Sequence, residues 1–339
     1  MFQHSFNIRL RCLLCTAILL ALASPSSAIA QSKDGPLSDN ERASVMFDFN
    51  LKELREHPLM KDLDINEMMA SRGIPQSDGF DVTTVNRIFG GMQIPDDPAA
   101  MQPQPGQDLQ TNFFMRFEFA DSTSADKMVD SIKTQGAKTH EVNGTTYYSP
   151  DDAQAPPNMR MHKVNQSTVE MATERYALLK DRNVISKPLG NYWKQLPSDT
   201  ALRLCIDLES NREVIDVLLD QAKSGAPPNA EPFLNLVNDL AGFTFGMDFD
   251  SEKLLTLRAS GKDSEGTEKL RDAIDGLLGM GKFMGQSSLS GSPLDDDAKK
   301  VFGEILKSLK ANSEGNTVSV DITKPEGMDE VIKGMMGGQ

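Results

Sequence analysis

The chain has 339 residues, with 49 acidic against 35 basic side chains and a net charge of −14. No apolar run reaches the ~20 residues of a membrane span, and a surface this acidic repels phosphate backbones, which argues against nucleic-acid binding. Length alone predicts about two domains.

The N-terminus reads as a secretory signal over residues 1–30. Arg9 and Arg11 supply positive charge, Leu13 to Ala23 is a short apolar stretch, and Ala28-Ile29-Ala30 offers a small-x-small cleavage site. Its removal takes two Arg and no acid, so the mature charge becomes −16. Cys12 and Cys15 leave with it. Cys205 then stands alone, no intrachain disulfide can form, and the exported chain must fold by burying apolar surface. The expected location is periplasmic or extracellular.

Downstream, the pattern predicts a strand over 43–49, helices near 50–57 and 64–70, a helix over 82–89, and a short strand after Gly90. A strand over 112–120, rich in Phe, precedes a helix over 123–135. Asn143-Gly144 between His140-Glu141-Val142 and Thr145-Thr146-Tyr147 signals a hairpin, and Met159 to Val164 with Thr168 to Ala172 reads as another. The later part predicts a strand over 202–208, helices over 211–222 and 230–240, and strands over 243–249 and 253–259 about an Asp250-Ser251-Glu252 turn. A helix over 265–283 follows, then a Gly/Ser-rich loop from Gly285 to Pro293. A helix over 294–310 carries the stripe Leu294, Ala298, Val301, Phe302, Ile305, Leu306 and Leu309, and a strand over 316–322 follows.

Residues 116–132 and 258–274 align without a gap. Arg116, Asp121, Ser122, Lys127, Asp130 and Ile132 match Arg258, Asp263, Ser264, Lys269, Asp272 and Ile274. Upstream, Val85-Asn86-Arg87-Ile88 with Gly90 matches Val237-Asn238-Asp239-Leu240 with Gly242. The change of offset places a ten-residue insertion in the Pro/Gln-rich stretch 95–109. The matched block is a strand, an Asp that caps, and a helix, so Asp121 and Asp263 read as N-caps rather than catalytic acids. The expected fold class is α+β, with two homologous domains over 38–190 and 198–333 joined by a linker at 191–197. Each is expected to hold an antiparallel sheet with helices packed on one face.

Chemical motifs are scarce. Gly276 to Phe283 has phosphate-loop spacing, but Phe283 stands where a hydroxyl is needed and a helix precedes it. Asp248 to Glu252 alternates acids like a calcium loop yet lacks its Gly and distal Glu. Met159, Met161 and His162 are soft or borderline ligands, but strand alternation puts His162 on the opposite face from the two Met. Neither a cofactor nor a metal is expected. The linker holds Tyr192 and the sole Trp, Trp193, which are the candidate interaction residues: a wedge between domains, or an exposed anchor. Met328, Val331, Ile332, Met335 and Met336 form an amphipathic C-terminal segment.

Leu196-Pro197-Ser198-Asp199-Thr200-Ala201 leads into the strand carrying Asp207, and Pro36-Leu37-Ser38-Asp39 precedes the first strand. This layout resembles exported bacterial proteins built from tandem α+β repeats, a domain-of-unknown-function type. The resemblance implies export and duplication, and it brings no catalytic residue. The functional expectation is an exported, non-enzymatic binding or interaction protein whose partner is a protein or an apolar small molecule. A carrier of an apolar ligand held between sheet and helices is the first alternative, and a hydrolase with a dispersed carboxylate site the second.

Overall fold

A computed structural model describes residues 37–38, 41–57, 81–95, 111–142, 144–150, 157–179, 184–198, 200–225, 231–292 and 294–331. The expected signal, the helix near 64–70, the 96–109 part of the insertion, and Ile332, Met335 and Met336 lie outside them.

β1 (Val45–Phe49) runs into α1 (Leu51–Glu56), where the Asn50 side chain accepts the Glu53 N–H. A 3-10 turn over Val82–Thr84 precedes β2 (Val85–Met92), and β3 (Phe113–Phe119) runs into α2 (Ser122–Thr134). β4 (Lys138–Val142) pairs with β5 (Thr145–Ser149), where Gly144 adopts the φ of +77° that a tight turn demands. β6 (Met159–Asn165) pairs with β7 (Thr168–Thr173). α3 (Glu174–Ala177) and α4 (Lys187–Trp193) then lead to β8 (Leu202–Asp207). α5 (Arg212–Gly225), α6 (Glu231–Asp239), β9 (Leu240–Met247) and β10 (Lys253–Gly261) follow. α7 (Ser264–Ser290), α8 (Asp296–Ser308), β11 (Ala311–Glu314) and β12 (Thr317–Thr323) complete the order.

The fold class is α+β, but the strands do not form two separate sheets. Among the described residues they form one antiparallel sheet of 12 strands in the order β11-β12-β10-β9-β8-β1-β2-β3-β7-β6-β5-β4. The join is β1 against β8, with Phe47 opposite Leu204 and Asp48 opposite Arg203. Either strand left as an edge would present unpaired N–H and C=O groups, and each removes the other's edge.

Helices also pack on both faces rather than one. On the first face, Phe47, Phe49, Val85, Ile88, Phe117 and Phe119 meet Leu51 and Leu54 of α1 and Ala125, Met128 and Val129 of α2. Farther along that face, Leu240, Ala259, Val318 and Val320 meet Leu270, Ile274 and Leu278 of α7. The opposite face is covered at its centre by α3 and α4, over Met46, Phe114, Ala172 and Cys205. β1 and β8 carry apolar side chains on both faces, so burying only one would leave Met46 and Cys205 in water.

Three further expectations are corrected. Residues 85–92 are strand, not helix. Register slips between Val85 and Arg87, so Val85 and Ile88 reach the same core three residues apart, a spacing that imitates helical periodicity. Residues 285–290 are the last turns of α7 rather than a loop. A Cβ on Gly285 would stand 2.7 Å from Leu306 of α8, and this close packing sustains a helix that composition alone disfavours. The three residues 191–193 assigned to the linker are the end of α4. The capping residues stand as read: Asp121 accepts the Ser124 N–H at 2.7 Å and Asp263 the Gly266 N–H at 2.7 Å.

His57 stitches the two chain segments together under the first face. Its ring lies 4.9 Å from the Phe249 ring, with Nε2 3.8 Å from Asp250 Oδ1. Burial lowers the His57 pKa from 6.5, against the opposing pull of Asp250 and with help from Lys324. A lowered folded-state pKa means that the unfolded chain takes the proton first. The His57 contribution to stability is therefore full above about pH 6.5 and is lost as pH falls through the folded-state value. The difference in urea midpoint between wild type and His57→Gln should shrink from pH 7.5 to pH 5; a constant difference would contradict the assignment.

Candidate functional site

The candidate site grows from the β1–β8 join. Strand alternation sends Phe47 and Phe49 to the first core and Asp48 to the opposite face. There Asp48, 1% exposed, lies between two arginines. Arg87 of β2 donates through Nε to Oδ1 at 2.7 Å and through Nη2 to Oδ2 at 2.5 Å. Arg203 of β8 donates through Nη2 to the same Oδ2 and through Nη1 to the Pro197 carbonyl at 3.3 Å. The hydrogen bond to Asp48 raises the Arg87 pKa above its usual value, so that guanidinium stays charged. One buried carboxylate thus serves two cations. The second cation is also attracted to the face of Trp193, whose indole lies 4.2 Å from the Arg203 guanidinium carbon.

A second pair extends the charge along the sheet. Arg116 of β3 donates through Nε to Glu170 Oε2 of β7 at 2.5 Å. Glu170 stands opposite His162 of β6, with Nε2 3.8 Å from Oε1, and the His162 ring packs 4.7 Å from Tyr147. Phe89 sits opposite both Asp48 and Arg116, and its ring meets Trp193 edge-on at 5.9 Å. Across β8, β1, β2, β3, β7 and β6 the face therefore reads Arg203, Asp48, Phe89, Arg116, Glu170, His162. Its carboxylates are buried. Arg87 and Arg116 are about one-third exposed, at 35% and 34%, as is expected of side chains held upright at the rim of a strip.

α4 is positioned over this strip by its own N-cap. Ser186 Oγ accepts the Leu189 N–H at 3.2 Å and donates to Asp207 Oδ2 at 2.6 Å. Asp207, fully buried, also accepts from Ser210 N–H and Ser210 Oγ, which makes it a fastener rather than a reactive acid. At the other end of α4, Tyr192 and Trp193 diverge. Tyr192 lies flat on β9, so close that a Cβ on Gly242 would stand 2.2 Å from its ring. Burial, with Asp207 and Glu209 nearby, pushes the Tyr192 phenol up to about 12 despite a hydrogen bond with Ser260. Trp193 is half-buried between Arg203 and Phe89. Cys205, beneath α4, is fully buried, and burial pushes its thiol up to about 12, far from the thiolate that a nucleophile requires.

The other residues singled out by spacing sit apart from the strip or within ordinary structure. Gly276 to Phe283 lies inside α7. Asp248 turns the β9–β10 loop, its Oδ1 accepting the N–H groups of Asp250 and Ser251. Met161 points to the first core and His162 to the opposite face, as alternation requires. The arginine–carboxylate strip was not read from the sequence. Its signal was present only as single charges inside apolar strands: Asp48 in Val45–Phe49, Arg116 in Phe113–Phe119, and Arg203 in Leu202–Asp207.

The fold defines an α+β protein built on a continuous antiparallel sheet. No family model and no curated protein matches the chain. Among solved structures, crystal form I of TP0453 aligns over 90% of this chain and 99% of that chain at 12% identity and a TM-score of 0.38. Crystal form IV of TP0453 aligns over 85% and 91% at 10% identity and a TM-score of 0.38, and crystal form III over 90% and 100% at 11% identity and a TM-score of 0.35. This likeness is distant.

Two outcomes are expected from substitution. Asp48→Ala leaves two arginines facing each other without their carboxylate and should cost about 3–5 kcal/mol in urea unfolding, with Asp48→Leu/Arg203→Leu recovering part of the loss. A loss of Asp48 within about 1 kcal/mol would show that solvent replaces it. Gly242→Ala forces Tyr192 off β9 and should destabilise by roughly 1–3 kcal/mol in urea unfolding.

Proposed function

We propose that this chain is an exported, non-enzymatic interaction protein that docks a protein partner on the strip formed by Trp193, Phe89, Arg87 and Arg116. The observation that supports this reading most directly is the composition and rigidity of the strip. Trp and Arg are the side chains that dominate binding energy at protein interfaces. Here the guanidiniums are held upright by buried Asp48 and Glu170, so little conformational freedom is left to lose on binding. Exposed Glu118, opposite Arg87, gives the rim a second sign of charge and hence a means of setting register with a partner.

Export is supported by Arg9, Arg11, the Leu13 to Ala23 stretch and Ala28-Ile29-Ala30. Duplication of an α+β unit, over 38–190 and 198–333, is supported by the aligned blocks and by strand order. Outward from β1 run β2, β3, β7 and β6; outward from β8 run β9, β10, β12 and β11. β3 and β10 each run into a helix capped by an Asp, Asp121 and Asp263. In this reading the joint between units is the β1–β8 seam. Tyr192 and Trp193 divide the two roles foreseen for them, Tyr192 as wedge and Trp193 as anchor.

Site-specific photo-crosslinking in the native envelope tests the docking strip. A crosslinker at Glu118 should capture one discrete partner, and a crosslinker at Lys52, exposed on α1, should not. Trp193→Ala should reduce capture at Glu118 roughly tenfold or more while the chain stays folded. Equal capture at both positions, or undiminished capture with Trp193→Ala, would remove the strip from consideration.

A further inference from the structure

α7 is 27 residues long, about 40 Å, and it is apolar on two opposite sides. One side is explained: Leu270, Ile274 and Leu278 face the sheet, and Gly285 abuts Leu306 of α8. The other carries Met280, Phe283 and Met284, which are 52%, 75% and 60% exposed. At 100° per residue, Phe283 and Gly276 lie within 20° of each other and directly opposite the buried stripe. Met280 and Met284 flank them on one side, with Gly279 and then Asp275 and Lys282 on the other. A Cβ at Gly276 or Gly279 would meet nothing within 4 Å, so the surface beside the Phe283 ring is open and shallow. Between residues 276 and 294 the only charged side chain of this acidic protein is Lys282. Asp275 lies within electrostatic reach of Arg271 one turn earlier, whose ion pair is with Asp272, so both Asp275 and Lys282 are left to face a second copy.

We propose that this face of α7 docks a second copy of the chain, helix against antiparallel helix, about a two-fold axis between Gly279 and Met280. The spacing makes the surface self-complementary, as a two-fold interface must be. With the axis there, Phe283 of each copy lies over the second copy's Gly276, a ring on a position without a side chain. Met280 meets its own counterpart at the axis. The Asp275/Lys282 flank of one helix faces the same flank of the other, and each Asp275 stands within two residues of level with the second copy's Lys282, giving two reciprocal ion pairs. A bilayer would use neither the cleared glycines nor the seven-residue spacing of opposite charges, and Asp272 and Asp275 beside the patch oppose an anionic surface. Two copies bring a large like charge together, and the near absence of acids on this stretch is what permits the approach.

Sedimentation velocity on the full chain over about 1–100 µM tests the proposal. The expected result is a concentration-dependent monomer–dimer equilibrium. Phe283→Glu should weaken it roughly thirtyfold or more. Asp275→Lys should weaken it about three- to tenfold, and Asp275→Lys/Lys282→Asp should restore it. Asp275 and Phe283 are exposed and Lys282 is half-buried, so thermal melts of the Asp275 and Phe283 variants should match wild type, the double variant is compared with its own melt, and the charge exchange decides the matter if Phe283→Glu perturbs the helix. A monomer across the whole range, a dimer indifferent to Phe283→Glu, or no recovery in the double variant would overturn the proposal. So would phosphatidylcholine vesicles binding the monomer through Phe283 without any self-association.

Discussion

One carboxylate holds the centre of the molecule. Asp48 sits at the strand pair that joins residues 45–49 to residues 202–207, and it neutralises an arginine from each side of that seam. Asp48 and Arg203, both buried, would cost several kcal/mol apiece to take out of water unless their geometry satisfies them. The bidentate Arg87 contact, the Arg203 contact and the indole over Arg203 together meet that condition. Apolar side chains here would give burial without direction. The charged trio demands one register, with Asp48 opposite Arg203, because a slip of one residue would send Asp48 into the phenylalanine core.

From that register the rest of the architecture follows. β1 and β8 cease to be edges, so four strands extend beyond β8, from β9 out to β11, and six extend beyond β1, from β2 out to β4. Because the central strands are apolar on both faces, both faces need cover. α1, α2 and α7 supply it on one side, and α3 and α4 on the other. α4 is short and relies on tertiary contacts: the Ser186–Asp207 bond at its start and Tyr192 against Gly242 at its end. Where its cover stops, the one-third-exposed Arg87 and Arg116 begin. The same constraint that closes the sheet therefore leaves a rigid, polar and aromatic strip beside Trp193.

Much of this was legible locally. Alternation located most strands, Asn143-Gly144 located its hairpin, and the Asp-Ser pairs located both capped helices, because each of these depends on a few neighbouring residues. The errors share a cause. At 82–89 a bulge placed Val85 and Ile88 on one face and imitated a helix. At 285–290 contact with Leu306 completed a helix through glycine and serine. Contacts with β8 and β9 wound residues 187–193, the last three of which were assigned to the linker, into α4. The strip was invisible for a stronger reason: Asp48 and Arg203 are 155 residues apart, and neither is unusual within its own strand.

By itself the sequence determined the fold class, the excess of acidic over basic side chains, and two strand–cap–helix segments capped by Asp121 and Asp263. These follow from composition and from interactions spanning a few residues. Only the tertiary structure decided that the strands form one sheet and not two, that helices cover both faces, and that Trp193 lies on a salt-bridged arginine beside an open strip. Those outcomes depend on which distant strands pair and in which register. Pairing is settled by complementary burial and charge across the seam, a property of two segments together that neither carries alone.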